Sequence, residues 1–455
     1  MLRKLSALIA LFLVSPTTYA QISDSVALRS IYSETLENSK AYNWLRDLTT
    51  TCPGRLAGSD AAAKAVEWAK KTMIEAGADS VYLQEVMVPH WVRGAKETGT
   101  IIEANGKKQS VPVIALGNSV GTPKEGITAN IIEVHNFDEL KALGTEKVKG
   151  KIVFYNHPFD EKFINTFEAY GEAVEYRWAG PSEAARYGAV GTIVRSMTNA
   201  QDDFPHTGAM HYYDSLPKLP CIAISTNGAN LLSSIIRANK ETKFYMQTNC
   251  QMLDSVKSYN VIGEIFGKSK RDEVIVVGGH LDSWDNCSGA HDDGAGVVQS
   301  IEILRTMKAL KMTPERTIRV IAFMNEENGA KGGKTYAANL NGEKHVAAIE
   351  SDAGAFLPVG FGLNMKEEKR ELIRKWIPLF RPYGLWNFDN DGDGTDISFM
   401  EKYDIPCIGL NVNSQRYFDY HHAASDTIDK VNKRELLLGS ASMAALAYLI
   451  AMHGL

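Results

Sequence analysis

Near-continuous apolar runs mark the second half of this chain. Val274–Val277, Ile318–Met324, Val346–Ile349 and the stretch 405–410 carry little polar interruption. A strand with one wet face alternates apolar and polar residues, whereas a continuous run is buried on both faces. These four runs therefore predict a largely parallel sheet covered by helices. Helical spacing fills the intervals. After Gly296, the residues Val297, Ile301 and Leu304 share one face. A last helix starts near Asn432, where Asn432 and Glu435 fit a capping box, and its apolar positions run through Leu449. Near the N-terminus, Ser59-Asp60 opens a helix with Ala62, Val66, Ala69 and Met73 in register, and Gly77 stops it. Val81–Val88 reads as a strand.

From about residue 96 the texture changes to short β-type runs, 98–102, 148–155, 189–194 and 219–224, with 183–188 reading as a helix end before the third. This stretch holds no dense group of metal-ligating residues. The expected organisation is α/β, with a mostly parallel central sheet flanked by helices. One discontinuous domain, 21–95 and 254–455, carries that sheet, and a β-rich insert, 96–253, is looped out of it. A chain of 455 residues is too long for one ordinary core, which agrees with two domains.

The formal charge of −5 gives no basic stripe, so nucleic acid is not an expected partner. Arg3 and Lys4 precede an apolar stretch, Leu5 to Val14, that is too short to span a bilayer. Thr18-Tyr19-Ala20 then offers small residues where a signal peptidase reads, so residues 1–20 are expected to be removed and the protein exported, beginning at Gln21. Losing Arg3 and Lys4 takes the charge from −5 to −7. No later stretch reads as long and apolar enough to anchor the mature chain in a membrane. Five cysteines cannot all pair, none sits in a metal knuckle, and Cys287 is expected to be a packing residue.

Chemistry gathers at the strand ends. His280 and Asp282 follow the first apolar run, Glu326-Glu327 the second and Asp352 the third. Asp292 begins the turn into the helix at Gly296, and His421-His422 lies in a loop after the fourth run. Open parallel sheets bind ligands at the carboxyl ends of their strands. Imidazole and carboxylate without thiolate suit a catalytic zinc pair. In such a site a carboxylate bridges the ions, a water is activated and a scissile carbonyl is polarised. One member of Glu326-Glu327 would be a ligand and the other the proton-transferring base. Asp282, two residues past His280, is placed to accept the other ring N–H. The residues alone justify metal-assisted amide hydrolysis.

The segments 280–285, 289–296, 325–327, 350–352 and 422–427 resemble those of the co-catalytic di-zinc exopeptidases, of bacterial leucyl aminopeptidase and glutamate carboxypeptidase type. Pro53–Ser59, Val88–Gly94, Tyr170–Glu172 and Pro205–Gly208 are similar to segments of the glutamate carboxypeptidase branch. The resemblance implies that His280, Asp292 and Asp352 hold one zinc and that Asp292, Glu327 and His422 hold the other. It implies Glu326 as the base and His422 rather than His421 as the ligand. It also implies a protease-associated insert, a homodimer and short peptide substrates, dipeptides foremost. Asp396 stands in a family motif whose next residue is Ile397, where many members carry His. Other readings are an aminopeptidase on longer peptides, a glutaminyl-cyclase-like transferase needing one zinc, or a non-catalytic receptor-like ectodomain, which should have lost ligands. Asp389–Gly394 matches half of a calcium loop, but Met400 stands where a bidentate Glu is needed. A solvated Asp/Gly loop is expected there. His206 and His211 are expected at the surface.

Overall fold

The computed structural model describes residues 16–340, 342–390, 392 and 394–455, with side chains from Asp24 onward. The predicted leader therefore lies, for residues 1–15, outside the described residues. The first sheet has seven strands. Its spatial order is Ser80–Val92, Gln251–Ile265, Arg316–Phe323, Lys270–His280, Lys344–Glu350, Cys407–Val412 and Pro358–Asn364. The four apolar runs are the four consecutive parallel strands at its centre. Each is longer than or shifted from its run by a few residues, because main-chain pairing continues past the apolar stretch. Gln251–Ile265 and Pro358–Asn364 run antiparallel to their neighbours. Ser80–Val92, two antiparallel steps out, again follows the central direction.

Arg316–Phe323 is buried along its whole length, as a strand covered on both faces must be. Helices Asp60–Glu75, Ala295–Ala309 and Lys433–His453 cover the sheet. Ser59 caps the first of these by accepting the Ala62 N–H, and Asn432 caps the last by accepting from Arg434 and Glu435. Lys433–His453 corrects the sequence reading. By length and composition it could cross a membrane. Its apolar surface is instead buried against Ala295–Ala309, Pro16–Asn38 and the sheet. A helix hydrophobic all round is equally at home inside a large core.

The chain leaves this sheet at Val92 and returns at Gln251, and these two residues are paired with one another. What lies between builds a second sheet of eight strands, four of them consecutive and parallel. Helices Phe137–Val148, Thr166–Trp178, Gly180–Arg186 and Thr226–Ala238 accompany it. The insert is thus itself α/β and less purely β than its runs suggested. The two lobes meet at a seam where Leu56, Trp91, Trp284 and Cys287 pack on Ala115 and Ala209. Gly117 is required there: a Cβ on it would lie 1.8 Å from the Trp284 ring.

Candidate active site

His280 ends the central strand Lys270–His280. The chain goes from that strand to Arg316–Phe323 on one side, then crosses to Lys344–Glu350 on the other. This reversal opens a crevice at the strand ends, where such sheets bind ligands. Helix Ala295–Ala309 approaches the crevice closely because Gly296 has no side chain; a Cβ there would stand 1.9 Å from the Ser351 carbonyl.

The expected ligands converge on Asp292. Its Oδ1 is 3.0 Å from His280 Nε2, and its Oδ2 is 3.3 Å from His422 Nε2. Asp352 Oδ1 lies 3.4 Å from His280 Nε2, and Glu327 Oε2 lies 3.2 Å from His422 Nε2. Asp292 thus offers one oxygen towards each imidazole, with a further carboxylate beside each. His421 is more distant, 3.9 Å from Asp292 Oδ2, and its ring stacks on His422 at 3.5 Å. Glu326 lines the same cavity, of about 490 Å³, with Asp292, Glu327, Asp352 and His422.

The site is built for cations. Asp282, Asp292, Asp293, Glu327, Glu350, Asp396 and Asp426 are all buried around it. Like charges out of water cannot all ionise unless something positive joins them. The protein alone answers by holding protons. Burial, then the charges of Asp352 and Asp292, push Glu326 up to about 7 against the pull of His280. Burial also raises Glu327 and Asp352. Burial works against a charged His280, but Asp352 and Asp292 override it and hold the imidazolium well above its ordinary range. Asp292 Oδ2 is buried with no hydrogen-bond partner. Divalent cations among these oxygens and imidazole nitrogens would satisfy both the charge and that orphan atom.

Asp282 does not hold the His280 ring with its carboxylate, as the sequence reading expected. The ring's Nδ1 is 3.0 Å from the Asp282 backbone carbonyl and 3.9 Å from Oδ1. The carboxylate turns instead to the backbone N–H groups of Asn325 and Glu326, at 2.7 and 3.1 Å. Two buried amides at the strand end need an acceptor more than a ring N–H already satisfied by a carbonyl. Asp282 is thereby a support for Glu326.

Other supports were not foreseen. Asp293 accepts from the His280 and Gly296 N–H groups, at 3.0 and 2.9 Å. Asp426 accepts from His291 and Asp292, at 2.8 and 3.1 Å, and so fixes the Asp292 backbone. Fully buried Arg55 donates to the carbonyls of Leu281, Ser288 and Gly289, at 2.6, 2.6 and 2.8 Å, and clamps the loop joining His280 to Asp292. Asp426 and Arg55 stood in quoted motifs, but nothing in those motifs revealed partners so far off in sequence.

His211 is exposed, whereas His206 is buried, contrary to expectation. Asp396 lies behind the site, accepting from Gly333 N–H at 2.9 Å. In the Asp389–Gly394 loop, residues 391 and 393 lie outside the described residues; the Asn390 and Gly392 carbonyls accept from Leu363 and Gly409. All five cysteines are buried.

Imidazoles and carboxylates converging at strand ends, around a glutamate held near neutrality, define a metallohydrolase centre. Relatives make the class specific. The pattern of peptidase family M28 matches residues 260–447. The chain is 31% identical over 450 residues to carboxypeptidase Q of Mus musculus, covering 96% of this chain and 93% of the relative. It is 33% identical over 439 residues to carboxypeptidase Q of Xenopus laevis, covering 96% and 90%. The crystal structure of a peptidase M28 precursor from Shewanella amazonensis superposes with a TM-score of 0.90 at 33% identity, covering 95% of this chain and 97% of that one. A zinc aminopeptidase from Bacillus subtilis shares the fold, with a TM-score of 0.65, 19% identity and coverage of 90% and 95%. The chain belongs to peptidase family M28 and is a zinc metallopeptidase.

Proposed function

We propose that the enzyme is an exopeptidase that removes one residue from short peptides, dipeptides foremost, at a pair of zinc ions. The observation that carries this reading is Asp292, with one oxygen towards His280 and the other towards His422. In it, His280, Asp292 and Asp352 hold one ion, and Asp292, Glu327 and His422 hold the other. Bound there, the ions supply Lewis acidity and an acidified water. Glu326 takes the proton from that water and delivers it to the leaving amine. It suits the task because Asp282 fixes its backbone and its own surroundings hold it near neutrality. Asp293, Asp426 and Arg55 keep the surrounding loops from adjusting during the reaction.

Arg177 supports a substrate with a free carboxylate. It is buried and lines the cavity above the ligands. Its partners are the Thr207 carbonyl, the Tyr170 hydroxyl and the His422 ring, none of them anionic, and its Nε has no acceptor. A guanidinium left without a counter-ion in a closed site matches a carboxylate in charge and shape. Beyond Asp352 the cleft continues into a second chamber of about 580 Å³ walled by Trp386, Asn387 and Asn411. That chamber gives room to an aminopeptidase reading on longer peptides.

A panel of dipeptides and tripeptides with free, acetylated or amidated termini separates the two. The dipeptidase reading expects amidation of the C-terminus to lower kcat/KM by at least tenfold. Equal turnover of acid and amide, with tripeptides preferred, would favour the aminopeptidase. Export past Ala20 and a homodimer complete the proposal, as the family likeness implies. Protein isolated from its host should begin at Gln21, and a retained Met1 would count against export.

A further inference from the structure

We propose that the insert lobe completes the outer support of His422, so that the metal position shared by His422 and Glu327 fills only while the insert is docked. The inference rests on the ligand assignment above. His422 stands in the left-handed backbone region, with φ of 62°, which a residue with a Cβ keeps only when its surroundings impose it. The Asn286 side chain of the same lobe donates to the His422 carbonyl at 3.2 Å, and the insert supplies the rest of the support. The Thr207 N–H donates to the His422 carbonyl at 3.1 Å. The Thr207 carbonyl lies 3.3 Å from His422 Nδ1. The backbone of a single insert residue thus grips the histidine at both its carbonyl and its ring.

Ring chemistry gives this grip a function. When Nε2 is given to a cation, the ring proton must sit on Nδ1, and a carbonyl there fixes both the tautomer and the ring plane. Arg177 Nη1 is 3.4 Å from the same Nδ1, but a guanidinium can only donate, so the Thr207 carbonyl is the acceptor in the loaded state. Thr207 is itself held within the insert, its hydroxyl donating to the Ala115 carbonyl at 2.8 Å.

The partner ligand also lies on the seam. Trp284 donates its backbone N–H to Glu327 Oε1 at 3.1 Å, and its ring meets His422 edge-on at 5.7 Å while resting on Gly117 of the insert. By contrast, the ring of His280 is held by the carbonyl of Asp282 within its own lobe. Tilting the insert would therefore loosen one metal position and spare the other.

The test uses the full-length protein and zinc alone, with a competing chelator to resolve the two binding equivalents. Gly117→Ala places a methyl group against the Trp284 ring and should wedge the seam while replacing no ligand, and Thr207→Ala serves as the variant that leaves Trp284 alone. Thr207→Ala removes the hydroxyl tie to Ala115 and is the milder variant should Gly117→Ala fail to fold. Each folded variant should bind its first zinc as the unaltered protein does and its second at least tenfold more weakly. Cobalt-substituted protein should show the matching loss in its visible spectrum. A second equivalent bound as tightly as in the unaltered protein, in folded Thr207→Ala or Gly117→Ala, overturns the proposal. His422→Ala is the reference. If it still binds two equivalents tightly, the ligand assignment fails, and that failure is distinct from failure of the coupling.

Discussion

Asp282 offers a sharp separation between two ways of serving a catalytic centre. If it holds the turn that presents Glu326, what matters is an acceptor oxygen at Oδ1, and a charge is not required. Asp282→Asn keeps a carbonyl oxygen there for the Asn325 and Glu326 N–H groups, now 2.7 and 3.1 Å away. Its new amide group replaces Oδ2, which has no partner, so the cost is bounded by one unsatisfied buried group, about 1–3 kcal/mol. Asp282→Ala leaves two buried N–H groups without an acceptor, about 2–6 kcal/mol at the same rate per group. It also frees Glu326 to drift, and a displacement of ~1 Å at a reacting group lowers the rate by roughly 10²-fold. Steady-state kinetics on a dipeptide, with thermal melting and zinc content on the same samples, should show Asp282→Asn within about tenfold of the unaltered enzyme and Asp282→Ala at least ~100-fold down, both retaining zinc. If Asp282→Asn is as inactive as Asp282→Ala, the negative charge acts on His280 after all and the support role is wrong.

Glu326→Gln should lower kcat by about 10²–10⁴-fold while zinc content stays near normal, and an active variant would reject the base. Metal-stripped protein should become less stable as pH rises from about 6.5 to about 8, above the range where burial, holding His206, His291 and His421 neutral, works in the opposite sense. Burial first of all pushes Glu326 and Asp426 up to about 7 and Glu350 up to about 8. Carboxylates raised above their unfolded values bind more protons in the folded state, so their stabilisation is present at low pH and lost as pH climbs through the folded values. Melting of chelator-treated protein across that range should fall steadily, and a flat or rising midpoint would contradict the charge argument.

The centre was legible because each ligand abuts a continuous apolar run. Such runs announce buried parallel strands, and the ends of parallel strands are where ligands sit, so His280, Glu327 and Asp352 could be placed without contacts. Supports were harder to see. Arg55 is satisfied by carbonyls more than 200 residues away in sequence, and a lone arginine in a loop gives no sign of burial. Asp282 was recognised but aimed at the wrong partner, because sequence spacing from His280 cannot show the amides that arrive from Asn325 and Glu326. The helix end read at 183–188 is the end of Gly180–Arg186, but the insert's other helices escaped for mixed reasons. Thr166–Trp178 carries Gly171 and a mixed polar pattern, whereas Thr226–Ala238 buries Ala229, Leu232 and Ile236 on one face and could have been found. Lys433–His453 shows the converse limit: apolar length alone does not distinguish a membrane span from the central helix of a large core.

Zinc analysis of purified, undialysed protein beside His422→Ala and His421→Ala tests the account most directly. It predicts two zinc ions per chain for the unaltered protein and for His421→Ala, and one for His422→Ala. Active protein free of any transition metal, or loss of zinc from His421→Ala with His422→Ala intact, would contradict it.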